Sequence, residues 1–305
     1  MDKTAYTFAL LTYNQEEFIV ECLESIKYQI INYGEGIECH LVISDDCSPD
    51  NTVETINSWL ESNRELFAYT NVIAGETNIG TVRNMFRLLD NIKTPLYKVL
   101  AGDDKFYTNN IFELNEYISE PNTLVFTPVL PFGDYSDCQP VFADWFKMIS
   151  YCNTPKKLKK LINITNFIHT PGVFQTQGIF EEEGLRTYSM QFFYLEDYAR
   201  WLYILNDKNA DYKLKFVTKP YICYRVASGI STNKNHPKYK KLQAEYDLLK
   251  KIYDTKYNKL PSLINPWRYY LVWLRFIRNI TNRKVCQEID AVYNAYFEED
   301  KKSKA

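Results

Sequence analysis

Through the first hundred residues, short apolar runs alternate with segments of helical hydrophobic period, the pattern of βαβ units and a mainly parallel sheet. Thr7–Leu11 reads as the first strand. Asn14 is then placed to cap a helix, Glu17 completes a capping-box-like pair, and Phe18, Ile19, Cys22, Leu23 and Ile26 form one apolar stripe. His40–Ser44 reads as the second strand, with Ser48 as the next cap, Pro49 at the first helical position, and Val53, Ile56 and Leu60 facing inward. Asn71–Ala74 is a short third strand. After the Asn78-Ile79-Gly80 turn, Val82, Met85, Phe86 and Leu89 mark one face of a helix, and a fourth strand, Leu96–Ala101, ends in Gly102-Asp103-Asp104.

Beyond Pro121 the pattern loosens. Thr123–Val129 is expected to be extended, 131–140 to be loop, and the basic run Lys156–Lys160 to be solvated surface. A helix is expected from Glu196 to Leu205 and an extended segment from Lys215 to Arg225. From Pro261 to Ile280, Trp267, Tyr269, Tyr270, Trp273 and Phe276 interleave with Arg268, Arg275 and Arg278. That stretch reads as a helix packed on the rest of the chain, or as a peripheral contact with an anionic membrane surface. The last residues are expected to fray.

Composition narrows the class. With 305 residues, 46% hydrophobic and 24% charged, the chain is long enough for a sizeable core. Thirty-six basic against 38 acidic residues give a net charge of -2, which supplies no field for a nucleic-acid backbone. The seven cysteines show no CxxC pair or ligand-like spacing, so they are expected to be reduced thiols. The first residues lack a basic leader and a long apolar core, so the expected location is the cytoplasm.

The polar clusters fall where an open α/β sheet binds ligands, beyond the carboxyl ends of its strands. Thr12-Tyr13-Asn14 follows the first strand, Asp45-Asp46 the second, Asn78-Ile79-Gly80 the third, and Asp103-Asp104 the fourth. Each cluster also has a purely structural reading, as cap, turn or loop. Adjacent carboxylates repel unless a cation or water screens them, so a divalent-metal site at Asp103-Asp104 is the economical explanation.

Taken in order, these residues resemble the family 2 glycosyltransferases over roughly Ala5 to Ser231. The resemblance rests on Thr12-Tyr13-Asn14, on Asp45-Asp46-Cys47-Ser48-Pro49-Asp50-Asn51-Thr52 as a form of Asp-Asp-x-Ser-x-Asp-x-Thr, and on Asn78-x-Gly80 with Arg83-Asn84. It is completed by Gly102-Asp103-Asp104 and Glu196-Asp197. Ala101 departs from the pattern, standing where many relatives carry the first aspartate of the metal motif. The resemblance implies a Rossmann-like GT-A fold, α/β with a mostly parallel sheet and a C-terminal helical extension. On this reading residues 1–232 form the catalytic domain, with 1–120 as the nucleotide half and 121–232 as the acceptor half, and 233–305 form the extension.

The resemblance also implies roles. Tyr13, flanked by Thr12 and Asn14, lies against the base of a UDP-sugar, and Asp45 or Asp46 accepts its imide hydrogen bond. Asn78, Gly80 and Arg83 border the donor, Asp103 lies near the ribose, and Asp104 reaches Mn²⁺ or Mg²⁺. Asp197 is the general base of an inverting transfer to a glycan or lipid-linked acceptor in bacterial surface polysaccharide synthesis. Arg225, with Ser228 and Ser231, resembles a segment that folds over the donor diphosphate, and His169 is a weaker candidate for the acceptor pocket. Two other readings compete: a nucleotidyltransferase, which wants a Gly-rich basic loop after the first strand that Thr12-Tyr13-Asn14-Gln15-Glu16 does not offer, and a non-catalytic nucleotide-sugar-binding homologue.

Overall fold

The structure, a computed structural model, describes residues 4–133, 139–163, 166–207, 211–226, 238–253 and 283–303. Strand β1 (Thr4–Thr12), helix α1 (Ile19–Tyr33), β2 (Ile37–Asp45), α2 (Thr52–Glu61), β3 (Tyr69–Ala74), α3 (Thr81–Leu89) and β4 (Leu96–Ala101) build a parallel sheet in the order β3-β2-β1-β4. Tyr6 through Leu10 are all buried, as expected of a parallel strand covered on both faces. Tyr6 and Phe8 meet Phe112 edge-on, and Phe8 meets Phe106 in the same way. The strand order reverses beside β1, which opens a crevice between the carboxyl ends of β1 and β4.

The middle of the chain adds β5 (Lys105–Phe106), the short helix α4 (Asn115–Ile118), β6 (Thr123–Phe126), β7 (Val129–Gly133), α5 (Gln139–Tyr151) and α6 (Pro155–Ile162). It continues with β8 (Val173–Gln175), α7 (Glu183–Ser189), α8 (Asp197–Asn206), β9 (Lys213–Phe216) and β10 (Ile222–Val226). These strands form two further three-stranded groups, β5-β10-β7 and β8-β6-β9, each holding one parallel and one antiparallel pair. The fold is α/β, and most strand pairs are parallel.

Helices α9 (Tyr239–Tyr253) and α10 (Arg283–Ser303) join the core of the middle region. Leu242, Leu249, Ile289 and Tyr293 are buried in one apolar cluster with Phe126, Phe146 and Trp201. The Tyr293 hydroxyl donates to the Val129 carbonyl at 2.9 Å, and Lys147 of α5 pairs with Asp290 of α10.

Two expected helix starts are displaced. Asn14 does not cap α1. It adopts a left-handed φ of 56°, its N–H donates to Ser48 Oγ at 2.8 Å, and the helix begins at Ile19 after a turn in which Gln15 O accepts from Phe18 and Ile19. Ser48 does not cap α2 either, because its N–H and hydroxyl are both given to Asp45. The helix starts at Thr52, whose N–H and hydroxyl are received by Asp50 Oδ1. The two loops are zipped together instead, by Gln15 N–H to Thr52 Oγ1 at 2.8 Å and Asn51 Nδ2 to Glu16 at 2.9 Å. The expected loop at 131–140 is partly β7 and partly α5, and the basic run at 156–160 lies on α6, where Leu158 is nevertheless buried. The aromatic and basic stretch at 261–280 lies outside the described residues, as do Ser228, Ser231 and Cys138. The six described cysteines are all free thiols.

Candidate functional site

The crevice is a cleft of about 1050 Å³. Thr12, Tyr13 and Asn14 from the end of β1 line it, as do Asp46, Asn78 and Gly80, Asp103 and Asp104, and Asp197 at the start of α8. Polar clusters spread over nearly two hundred residues are thereby brought to one rim by the sheet's connectivity.

Asp45 and Asp46 are separated by the structure. Asp45 is 1% exposed, and its carboxylate takes the Thr12 hydroxyl at 2.8 Å, the Ser48 hydroxyl at 2.6 Å and the Ser48 N–H at 2.8 Å. It ties the ends of β1 and β2 together and does not line the cleft. Asp46 does line it, and its two oxygens accept the N–H groups of Ile79 at 2.8 Å and Gly80 at 2.9 Å. Burial raises its pKa against the pull of those N–H groups. Gly80 must be glycine: its φ is 87°, and a Cβ there would stand 2.7 Å from the Phe193 ring and carbonyl.

At the end of β4, Gly102 is closely packed, since a Cβ would stand 2.5 Å from Gln15 Oε1, 2.8 Å from Ile19 Cδ1 and 2.9 Å from Thr12 Cγ2, and these side chains would have to shift. Asp104 behind it is 2% exposed and accepts the Arg225 N–H at 2.9 Å. Burial, and then the adjacent Asp103, push its carboxyl well above the ordinary range. Two adjacent aspartates that both line the cleft are the described residues that could hold a divalent cation. Among the described residues no three His, Cys, Asp or Glu side chains cluster as a metal-holding set, so a Mg²⁺ or Mn²⁺ ion held by Asp103 and Asp104 would have to draw most of its ligands from diphosphate and water.

Two expected contacts are not brought into the cleft. Arg83 is exposed on α3 and donates to the Met190 carbonyl at 3.3 Å. One turn further on, Arg87 serves the site indirectly, donating to Ser44 Oγ at 2.9 Å and to the Asp45 carbonyl at 2.5 Å. Arg225 turns its guanidinium away because β10 alternates: Tyr224 and Val226 line the cleft, whereas Arg225 donates through Nε to the Asp103 carbonyl, pairs with Glu21 and lies over the rings of Phe18 and Phe132.

At the start of α8, Asp197 Oδ2 accepts from Asn166 Nδ2 at 3.0 Å and Oδ1 accepts from Tyr198 N–H at 2.6 Å. Beside it buried Arg200 pairs with half-buried Glu196 at 3.0 Å, and desolvation raises the Glu196 pKa to about 7. Lys98, on the cleft floor, is 3% exposed and donates to the Val173 carbonyl at 2.7 Å. Burial lowers its pKa to about 7. Asn166, Arg200 and Lys98 were not singled out in the sequence. Lys98 carried the clearest signal, a lone charge inside an apolar strand. Asn166 carried none.

The family model for glycosyl transferase family 2 matches residues 7–188, more than half of the chain. The chain belongs to that family. It is also 23% identical over 194 residues to a teichoic acid poly(glycerol phosphate) polymerase of Staphylococcus epidermidis, covering 62% of this chain and 25% of the polymerase, so it spans about a quarter of that relative's length. Among solved structures it is similar to residues 1–349 of S. aureus TarS in complex with UDP, at 18% identity over 73% of this chain and 61% of that one, with a TM-score of 0.47. It is similar, too, to a mannosyltransferase of Pyrobaculum calidifontis in complex with GDP-Man and Mn2+, at 11% identity over 94% and 73% of the two chains and a TM-score of 0.49.

Proposed function

We propose that this family 2 glycosyltransferase moves a sugar from a UDP-sugar to a hydroxyl of a glycan or lipid-linked glycan, with inversion and with Asp197 as general base. The observation that carries the reading is the convergence of Tyr13, Asp46, Asp103, Asp104 and Asp197 on one cleft. Tyr13, 37% exposed, would stack a base on the ring face opposite Lys238, which lies over the other, and Asp46, which lines the cleft, would accept a uracil imide N–H. Asp103 and Asp104 would hold Mn²⁺ or Mg²⁺, which when bound neutralises charge on the departing diphosphate.

Asp197 does the remaining chemistry. Its carboxylate takes the proton of the acceptor hydroxyl, whose oxygen attacks the anomeric carbon as the bond to the diphosphate oxygen breaks. A single displacement from an α-linked donor gives a β-linked product. The polymerase relative supports a place in cell-surface polymer synthesis. No described helix is long and apolar enough to cross a membrane.

Calorimetric titration with UDP, with and without Mn²⁺, tests the donor end, and Asp197→Asn tests the base. The expected result is metal-dependent UDP binding, kept in the variant, with turnover lost. Undiminished turnover in Asp197→Asn would overturn the base assignment, and absence of UDP binding would overturn the donor.

A further inference from the structure

One wall of the cleft is left unused by this chemistry, and it is aromatic. Phe142 and Trp145 of α5, His169 and Tyr224 all line the cleft. The His169 ring lies 4.5 Å from Phe142 and 4.3 Å from Trp145 between centroids, and it is parallel to Tyr224 within 8° at 6.5 Å. Burial pushes the His169 pKa down to about 3, so the imidazole is neutral at physiological pH and the wall's one titratable base adds no charge.

The described cations nearby are engaged on other groups. Lys98 lies over Phe174, Arg200 over Phe180 and Lys238 over Tyr13. Lys147, two residues past Trp145, is paired with Asp290, and Arg225, next to Tyr224, with Glu21.

Two residues of the wall are close in sequence to groups that hold the reacting carboxylates. Asn166, three residues before His169, holds the base Asp197. Tyr224 precedes Arg225, whose N–H holds Asp104. The wall and the carboxylates Asp103, Asp104 and Asp197 line the same cleft, so a ring laid on the wall shares that cleft with the base and the donor carboxylates. The cleft, at about 1050 Å³, is at the upper end of the range for pockets that hold one small molecule, which leaves room for a second ligand beside the donor.

We infer that this wall is the acceptor subsite and that it takes the apolar C–H face of a sugar ring, not a polyol-phosphate chain. The inference rests on the glycosyl-transfer reading above. A pyranose stacks its axial C–H groups on aromatic faces and leaves its hydroxyls at the edge, where one reaches Asp197. A polyol phosphate needs cationic or N–H partners for each phosphate, and among the described residues the cations next to the wall in the chain, Lys147 and Arg225, are held by Asp290 and Glu21.

The test is saturation-transfer NMR on the full chain, with and without UDP and Mn²⁺. The probes are the methyl glycosides of glucose, galactose, N-acetylglucosamine and N-acetylmannosamine, against glycerol 3-phosphate. Ring C–H protons of at least one pyranoside should be saturated, and the signal should fall about fivefold or more in Trp145→Ala. Trp145→Phe, which keeps a ring and guards against loss of the fold, should retain most of it, and UDP affinity should stay within about twofold in both variants. Pyranoside signals that survive Trp145→Ala, saturation of glycerol 3-phosphate alone, or no saturated pyranoside overturns the inference. The arm without UDP reads the wall even where the donor assignment fails, so the two failures are distinguishable.

Discussion

Asn166 holds Asp197: its Nδ2 donates to Oδ2 across 3.0 Å, while the other carboxylate oxygen is fixed by the Tyr198 N–H at the first turn of α8. A carboxylate restrained at both oxygens loses rotational freedom at the edge of the cleft it lines. Asn166→Ala is expected to lower kcat about tenfold, the scale of a small misplacement of a reacting group, with UDP affinity unchanged. Steady-state kinetics with the donor, alongside calorimetry with UDP, checks this. An unchanged kcat would show that α8 alone positions the base.

Glu245 of α9 reaches the same wall from another part of the chain. Its carboxylate accepts the successive N–H groups of Phe193 at 2.9 Å, Tyr194 at 3.0 Å and Leu195 at 2.8 Å, in the turn that leads into Glu196 and Asp197. Phe193 also returns its carbonyl to Val82 N–H at 3.3 Å, which couples this turn to the start of α3 beside Gly80. Glu245→Gln leaves one acceptor oxygen and turns an NH₂ toward N–H donors, so the expected cost is about 2–4 kcal/mol. Hydrogen exchange should quicken at residues 193–195 and stay slow in β1, β2 and β4. Unchanged exchange at those three amides would refute the clamp.

The parallel sheet was legible because β1, β2 and β4 are apolar runs set between amphipathic segments, and the polar strand ends marked the rim of the cleft. The helix starts were not legible. Asn14 and Ser48 are good capping residues, but tertiary bonds between the two loops, and the grip of Asp45 on Ser48, won over local capping. Arg83 and Arg87 could not be told apart in sequence either, since both lie near the donor motif. Only the helix phase turns Arg83 toward Met190 and Arg87 toward the Asp45 carbonyl. Arg83→Ala is accordingly expected to leave UDP affinity within about twofold, because the side chain makes no cleft contact. A tenfold loss in calorimetry would contradict that placement.

The adjacent aspartates should separate by experiment. Asp45→Ala orphans the Thr12 and Ser48 hydroxyls and the Ser48 N–H inside the fold, a loss of about 3 kcal/mol or more in denaturant unfolding. Asp46→Asn keeps one acceptor but sets an amide NH₂ against the Ile79 or Gly80 N–H in the cleft itself. It is expected to weaken UDP binding tenfold or more with a smaller loss of stability. The reverse pattern would mean that Asp45 is the aspartate that meets the base.

Acid should reveal the half-buried His169. Burial holds its pKa at about 3, below the ordinary 6.5, because the charged form is penalised among Phe142, Trp145 and Tyr224. For a depressed pKa the contribution to stability is fully present above the unfolded value and is lost as pH falls from 6.5 toward 3. Glu196, raised to about 7 from 4.5, works the other way: its contribution is complete below 4.5 and is lost as pH rises through about 7. The wild-type curve therefore mixes two opposed slopes, and the informative quantity is the difference from His169→Phe. Relative to that variant, the wild type is expected to lose on the order of 2 kcal/mol between pH 7.5 and pH 5. Denaturant melts of both proteins at those two pH values measure it, and parallel curves would show that His169 accepts a proton in the folded state as readily as in the unfolded one.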